Sequence, residues 1–279
     1  MIHTCVINVS ALQTLPSDSL VLLDCRFRMD DPDYGMAAWH LGHLPGAHYL
    51  NLDYHLSGVK TGDNGRHPLP DAQRLAVDLG GLGIGPGTQV IAYDDASGQY
   101  AARAWWLLRW MGHRAVAVLD GGLPAWVAAG GSMTTAAPDR RSRRFILQSS
   151  LAGTVDAEQV RENIDNRDFV LVDARSAERF RGIGETLDPV AGHIPGALNR
   201  CFLDNLDTDG RFKPAAQLQA EWRATLGDGI AAGQVVHQCG SGVTACVNLL
   251  AMEYAGLGGS RLYPGSWSEW CSDPSRPVA

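Results

Sequence analysis

Apolar residues fall along this chain in short unbroken runs rather than in polar-apolar alternation, and longer helical stretches separate the runs. QVIAY (89–93), AVAVL (115–119), QVVHQ (234–238) and SRLY (260–263) read as strands, as do the runs that open LVLLDCR (20–26) and FVLVDAR (169–175). Segments 71–79 and 215–226 read as amphipathic helices, and 99–111 and 243–255 as helices rich in apolar residues. Strands of Val, Ile and Leu without alternation, separated by helices, predict a mostly parallel sheet covered on both faces. The fold class expected is α/β, with any ligand site in the loops at the carboxyl ends of the strands.

The pattern occurs twice. LVLLDCR returns as FVLVDAR, GHLPGA (42–47) as GHIPGA (192–197), VIAYDDASG (90–98) as VVHQCGSG (235–242), and LDGG (119–122) as LYPG (262–265). Four matches in one order, at offsets near 150 residues, mean a duplicated globular unit; the period is far too long for a solenoid repeat. The boundaries expected are a first half at 1–135, a linker at 136–152 and a second half at 153–279. The stretch 130–153 is rich in Gly, Ser and Thr and then basic, which suits a solvated surface strap.

With 45% hydrophobic and 19% charged residues in 279, the chain can bury a sizeable core. A net charge of −7 gives no reason to expect nucleic acid or an anionic membrane as partner. The first residues lack the basic and apolar regions of a secretory signal, and the longest stretch without Asp, Glu, Lys or Arg (229–252) contains Gln234, His237, Gln238, Ser241, Thr244 and Asn248, which make it too polar to span a bilayer. Six cysteines with no CxxC pair read as thiols of a reducing compartment, so a cytoplasmic location is expected.

Chemistry concentrates after the strand at 234–238, where Cys239 leads into Gly240, Ser241, Gly242, Val243 and Thr244 and a helix is expected from about Val243. Two glycines within three residues let successive amides turn inward, and the helix start adds partial positive charge. A thiolate there would receive hydrogen bonds that the thiol does not. The matching position of the first half holds Asp94, a poor nucleophile, so one half is read as active and the other as support. A cysteine-loop phosphatase needs Arg six positions after the cysteine; that position is Ala245. Disulfide exchange would want a nearby second cysteine, and Cys246 is read as packing. A loop with one thiolate suits carriage of a single sulfur atom as a persulfide.

The duplicated GHxPGA turns, CGSGVTA and GSWSEW together resemble the tandem-domain rhodanese family, over essentially the whole chain, and CGSGVTA resembles its 3-mercaptopyruvate sulfurtransferase branch. The resemblance implies two rhodanese domains, the first inactive, and a sulfurtransferase moving sulfur from a small anionic donor to cyanide or a thiol acceptor such as thioredoxin. No cofactor and no metal are implied. It assigns Cys239 as the sulfur carrier, the loop from Gly240 to Thr244 as the persulfide cradle, and Ser241, His67 and Asp53 as a proton relay. Arg179 matches an arginine that binds the donor's anionic group. A second family arginine a few residues before GHIPGA is absent, Leu187 and Asp188 standing there, and Arg181 is the candidate replacement. A sulfur-relay module loaded by a partner protein is the alternative reading. His43 and His193, present in both halves, are read as parts of the fold, as are Arg26 and Arg175 in ion pairs; Trp267 and Trp270 are expected to wall the cleft.

Overall fold

The computed structural model describes residues 2–139, 141–227 and 229–279, so Arg140 of the expected linker lies outside the described residues. The chain divides into two compact units, Met1–Gly58 with Pro70–Leu151 and Asp209–Arg211, and Val59–Leu69 with Ala152–Thr208 and Phe212–Ala279.

The first unit runs β1 (Val6–Ile7), α1 (Val9–Gln13), β2 (Leu20–Asp24), α2 (Tyr34–Leu41), β3 (Ala47–Tyr49), α3 (Ala72–Gly81), β4 (Gln89–Tyr93), α4 (Gln99–Trp110), β5 (Val116–Leu119) and α5 (Gly122–Ala128). The second runs β6 (Gly153–Thr154), α6 (Ala157–Asn166), β7 (Val170–Asp173), α7 (Ala177–Phe180), β8 (Leu198–Asn199), α8 (Ala215–Leu226), β9 (Val235–Gln238), α9 (Ala245–Tyr254), β10 (Arg261–Leu262) and α10 (Ser266–Trp270). Sheet orders are β1-β5-β4-β2-β3 and β6-β10-β9-β7-β8, which is the same order twice. Every strand pairing described is parallel. The α/β architecture expected from the apolar runs is present, and no helix among the described residues is long and apolar enough to cross a membrane.

The local chemistry explains the elements. All five residues of β4 and all four of β9 are buried, as central strands covered on both faces must be. Asp71 caps α3 by accepting the Arg74 N–H (2.8 Å), and Asp156 with Gln159 forms a reciprocal capping box on α6 (2.9 and 3.0 Å). The helix after β9 begins at Ala245, two residues later than expected, because Val243 and Thr244 remain in the loop.

The duplicated Asp-x-Arg is structural in both units. Arg26 chelates Asp24 (Nη2 to Oδ2 2.6 Å) and donates to Gly42 O (2.8 Å), and Arg175 does the same to Asp173 (2.7 Å) and Gly192 O (2.8 Å). Each pair ties the end of a strand to a GHxPGA turn. Within those turns, His43 Nδ1 lies 2.8 Å from Trp39 O and His193 Nδ1 lies 2.9 Å from Phe180 O.

Two expectations change. Trp267 and Trp270 do not wall an open cleft: both are fully buried in the core of the second unit, their indole N–H groups donating to Val190 O and Pro277 O. The segment after residue 140 faces solvent through most of its side chains, but it is tied to the first unit rather than free. Its backbone bonds to the first unit through Arg143 N–H to Gly80 O, Gln148 N–H to Met111 O and Leu151 N–H to Arg109 O, with Phe145 buried. Most of its other side chains stay exposed, those of Arg141, Ser142, Arg143 and Arg144 among them.

Candidate active site

In the second unit, β9 lies between β10 and β7, and Cys239 is the first residue past its carboxyl end. The Cys239 N–H donates to Ser266 Oγ (3.1 Å), whose own hydroxyl donates to Tyr263 O (2.9 Å). The Cys239 and Gly240 carbonyls accept the N–H groups of Trp267 and Ser268. The GSWSEW segment thus fixes the base of the loop from below. Ser266 does this from a left-handed conformation (φ 54°), unusual for a side chain other than Gly or Asn and tolerated where the surroundings over-determine it.

Gly242 turns the loop at φ 75°, and a Cβ there would collide with Pro264 O. Among the described residues, the N–H groups of Gly240, Ser241, Val243, Thr244 and Ala245 have no hydrogen-bond acceptor. The equivalent loop of the first unit spends its amides differently. Asp94, first residue past β4, accepts the N–H groups of Ala96 and Gly98 on Oδ1 and those of Tyr100 and Ala101 on Oδ2, all at 2.8–2.9 Å. Burial pushes the Asp94 carboxyl above its ordinary value while these four amides pull it back down. One loop design therefore holds its own carboxylate in one unit and leaves its amides available around a cysteine in the other.

Cys239 is 2% exposed, and Ser241 and His67 are nearly as covered. His67 Nδ1 lies 2.7 Å from Ser241 Oγ. His67 reaches the second unit's loop because the segment Val59–Leu69 clusters with that unit: Gly65 packs against Gly265, and the Arg66 N–H donates to Ser268 Oγ (3.0 Å). Asp53 belongs to the first unit, where its N–H donates to Asn51 Oδ1 (2.8 Å).

Arg179, on α7, is 25% exposed and carries a fork of bonds to Glu185, Nε to Oε2 at 3.1 Å and Nη2 to Oε1 at 2.8 Å. Its Nη2 also lies 3.4 Å from Asp188 Oδ2. Burial alone would raise the Glu185 carboxyl, but Arg179 and the Leu187 and Asp188 N–H groups bring it below its ordinary value. Asp188 shifts the other way: burial raises it, and Arg66 and Arg179 only partly oppose that. Arg181, the candidate for the missing arginine, is exposed at the C-cap of α7.

Arg66 was not singled out by the sequence. It pairs with Asp188 Oδ1 and stands over Gly240, where a Cβ would meet Arg66 Nη2 at 2.9 Å and Arg179 Nη1 at 3.5 Å. The one signal in the sequence is the arginine missing before GHIPGA; nothing within GRHPLP itself marks Arg66. Among the described residues no group of three or more His, Cys, Asp or Glu is placed to hold a metal ion.

Comparison with known proteins gives one consistent result. The rhodanese-like domain matches the chain twice, over residues 9–129 and 156–273. A Pseudomonas aeruginosa protein described as a probable 3-mercaptopyruvate sulfurtransferase is 48% identical, over 95% of this chain and 94% of its own. A Mycobacterium tuberculosis protein provisionally described as thiosulfate sulfurtransferase SseB is 43% identical, over 94% and 91%. Among solved structures, SseA from Escherichia coli, a 3-mercaptopyruvate sulfotransferase, superposes with a TM-score of 0.81 at 29% identity, over 95% of this chain and 99% of that one.

Proposed function

The chain belongs to the rhodanese family and is a sulfurtransferase, and from that premise we propose that Cys239 carries the transferred sulfur as a persulfide, with 3-mercaptopyruvate the favoured donor and thiosulfate the next. The observation that carries this reading is the contrast between the two loops. Four amides close on the Asp94 carboxylate in the first unit, whereas five amides after Cys239 have no acceptor. An anionic sulfur, on Cys239 or one atom beyond it, supplies the missing charge.

The reaction is a double displacement. The Cys239 thiolate attacks the thiol sulfur of the donor; the S–S bond forms as the donor's C–S bond breaks, and the bonding pair leaves with carbon as the enolate of pyruvate. A proton delivered to that enolate completes the product. Ser241, hydrogen-bonded to His67, is the proposed donor of that proton, with His67 replenishing it. Asp53 is assigned to the relay on the family resemblance. An acceptor thiolate or cyanide then takes the outer sulfur and restores the Cys239 thiolate.

Arg179 is proposed to bind the donor's anionic group, with Gly240, Gly242, Val243 and Thr244 forming the cradle. Residues 153–279 are taken as the catalytic half, 136–152 as the linker and 1–135 as the supporting half. A thiol acceptor of the thioredoxin kind and a cytoplasmic setting fit a chain whose six cysteines form no disulfide among the described residues.

The deciding experiment is intact mass after incubation with donor. The expected result is a gain of one sulfur atom, reversed by dithiothreitol and absent in Cys239→Ser. A wild-type protein that stays unloaded by either donor, or a serine variant that still transfers sulfur, overturns the assignment.

A further inference from the structure

The last residue of the central strand is filled differently in the two units. In the first it is Tyr93, at the end of β4 and in register with Asp24 of β2; in the second it is Gln238, at the end of β9 and in register with Asp173 of β7. Paired residues of neighbouring strands project from the same face of a sheet, so each side chain stands beside the carboxylate of a duplicated Asp-x-Arg pair.

The Tyr93 hydroxyl uses that place fully. It donates to Asp24 Oδ2 (2.7 Å) and accepts the Leu44 N–H of the GHLPGA turn (3.2 Å). One oxygen thereby joins the end of β4, the end of β2 and the turn. In the second unit no side chain takes this role. Ile194 is the counterpart of Leu44 in GHIPGA, and among the described residues its N–H has no acceptor. Gln238 is fully buried, and both its amide oxygen and its amide nitrogen lack a partner. The Asp173 carboxylate accepts only from Arg175 among the described residues. Buried polar groups left unpaired are costly, and their ordinary remedy in a protein core is an ordered water.

We propose that the second unit binds one internal water molecule at the place of the Tyr93 hydroxyl. This water accepts the Ile194 N–H and donates to the Asp173 carboxylate, as the phenol does with the equivalent groups of the first unit. Water has one proton and one lone pair more than a phenolic hydroxyl can offer, and these serve Gln238 Oε1 and Nε2. Four bonds to otherwise unpaired groups lie within the range usual for a buried water. Because Gln238 directly precedes Cys239, the water is a peg between the end of the strand that carries Cys239 and the GHIPGA turn. The site does not depend on the chemistry proposed for Cys239.

A crystal structure of the wild-type protein, at a resolution that orders internal solvent, tests this directly. The expected result is one solvent peak within hydrogen-bond distance of the Ile194 nitrogen, the Asp173 carboxylate and the Gln238 amide. A Gln238 amide bonded straight to Asp173 or to the Ile194 N–H, with no solvent peak between them, overturns the proposal. Urea unfolding of Gln238→Met gives an independent reading, because the two pictures differ in sign. Taking a partner away from a bound water should lower the unfolding midpoint, whereas taking an unpaired amide out of the core should raise it or leave it unchanged. A midpoint that does not fall therefore rejects the water. Gln238→Tyr brings a hydroxyl of its own: the solvent peak should be lost and the Ile194 N–H should bond to the phenol oxygen. A peak that survives unmoved beside that hydroxyl also overturns the proposal.

Discussion

Asp94 and Cys239 occupy the same place in two sheets of the same strand order, each the first residue beyond the carboxyl end of a strand flanked by its fifth- and second-strand equivalents. In one, the side chain is a carboxylate that gathers four amides; in the other, it is a sulfur beside amides that have no acceptor. The first unit's loop is, in this respect, a carboxylate-filled copy of the second unit's loop.

That relationship predicts the behaviour of Cys239→Asp. A carboxylate in the second loop should collect amides as Asp94 does, so this variant should be more stable than Cys239→Ser by about 1–2 kcal/mol while forming no persulfide. Urea unfolding of the two variants side by side measures the difference. Equal stability would show that the second loop does not favour an anion.

The pairing of His67 with Ser241 separates the two donors. Pyruvate leaves as a carbanion equivalent that must be protonated, whereas sulfite leaves from thiosulfate as a stable anion. His67→Asn or Ser241→Ala should therefore reduce kcat for 3-mercaptopyruvate by about a hundredfold or more and that for thiosulfate by far less. Single-turnover persulfide formation monitored with each donor checks it; equal losses would place the pair in structure rather than proton transfer.

Most of the architecture was legible in the sequence because the central strands bury both faces and so announce themselves as unbroken apolar runs: β4 at 89–93 and α8 at 215–226 lie where the pattern puts them. The edge strands Val6–Ile7 and Gly153–Thr154 were not, since two residues carry no periodicity. Cys239 and its loop were legible because strand, glycines and helix are contiguous. Arg66 was not, because its meaning depends on Asp188 and Gly240, more than 120 residues away, and nothing local to GRHPLP signals that approach. The burial of Trp267 and Trp270 was misread for a related reason: GSWSEW sits beside Cys239, but its indoles point into the core that supports the loop.

Arg175 should prove a stability residue. Its pair with Asp173 is nearly solvent-free, and the same guanidinium holds Gly192 O and lies over the Trp267 ring at 4.8 Å. Arg175→Met leaves the Asp173 charge buried and should cost about 3–5 kcal/mol, read by urea unfolding. The duplicate change, Arg26→Met, should cost a similar amount in the first unit, because Asp24 is equally buried.

Burial of His237 should make the second unit acid-sensitive. It is fully buried in β9, with Nε2 3.2 Å from Met252 Sδ and Nδ1 unpartnered, and burial pushes its pKa down to about 3. An unfolded histidine takes its proton near pH 6.5. Between those values the unfolded chain binds more protons than the folded one, so stability is full above about pH 6.5 and falls as pH drops through the window, by up to about 1.4 kcal/mol per pH unit. His55 and His113, also depressed by burial, add to the fall in the first unit. His237→Leu should flatten the pH 6.5 to 5 dependence of hydrogen exchange in β9 and leave that of β4 unchanged. A slope in β9 that persists in the variant would assign the acid sensitivity to other groups.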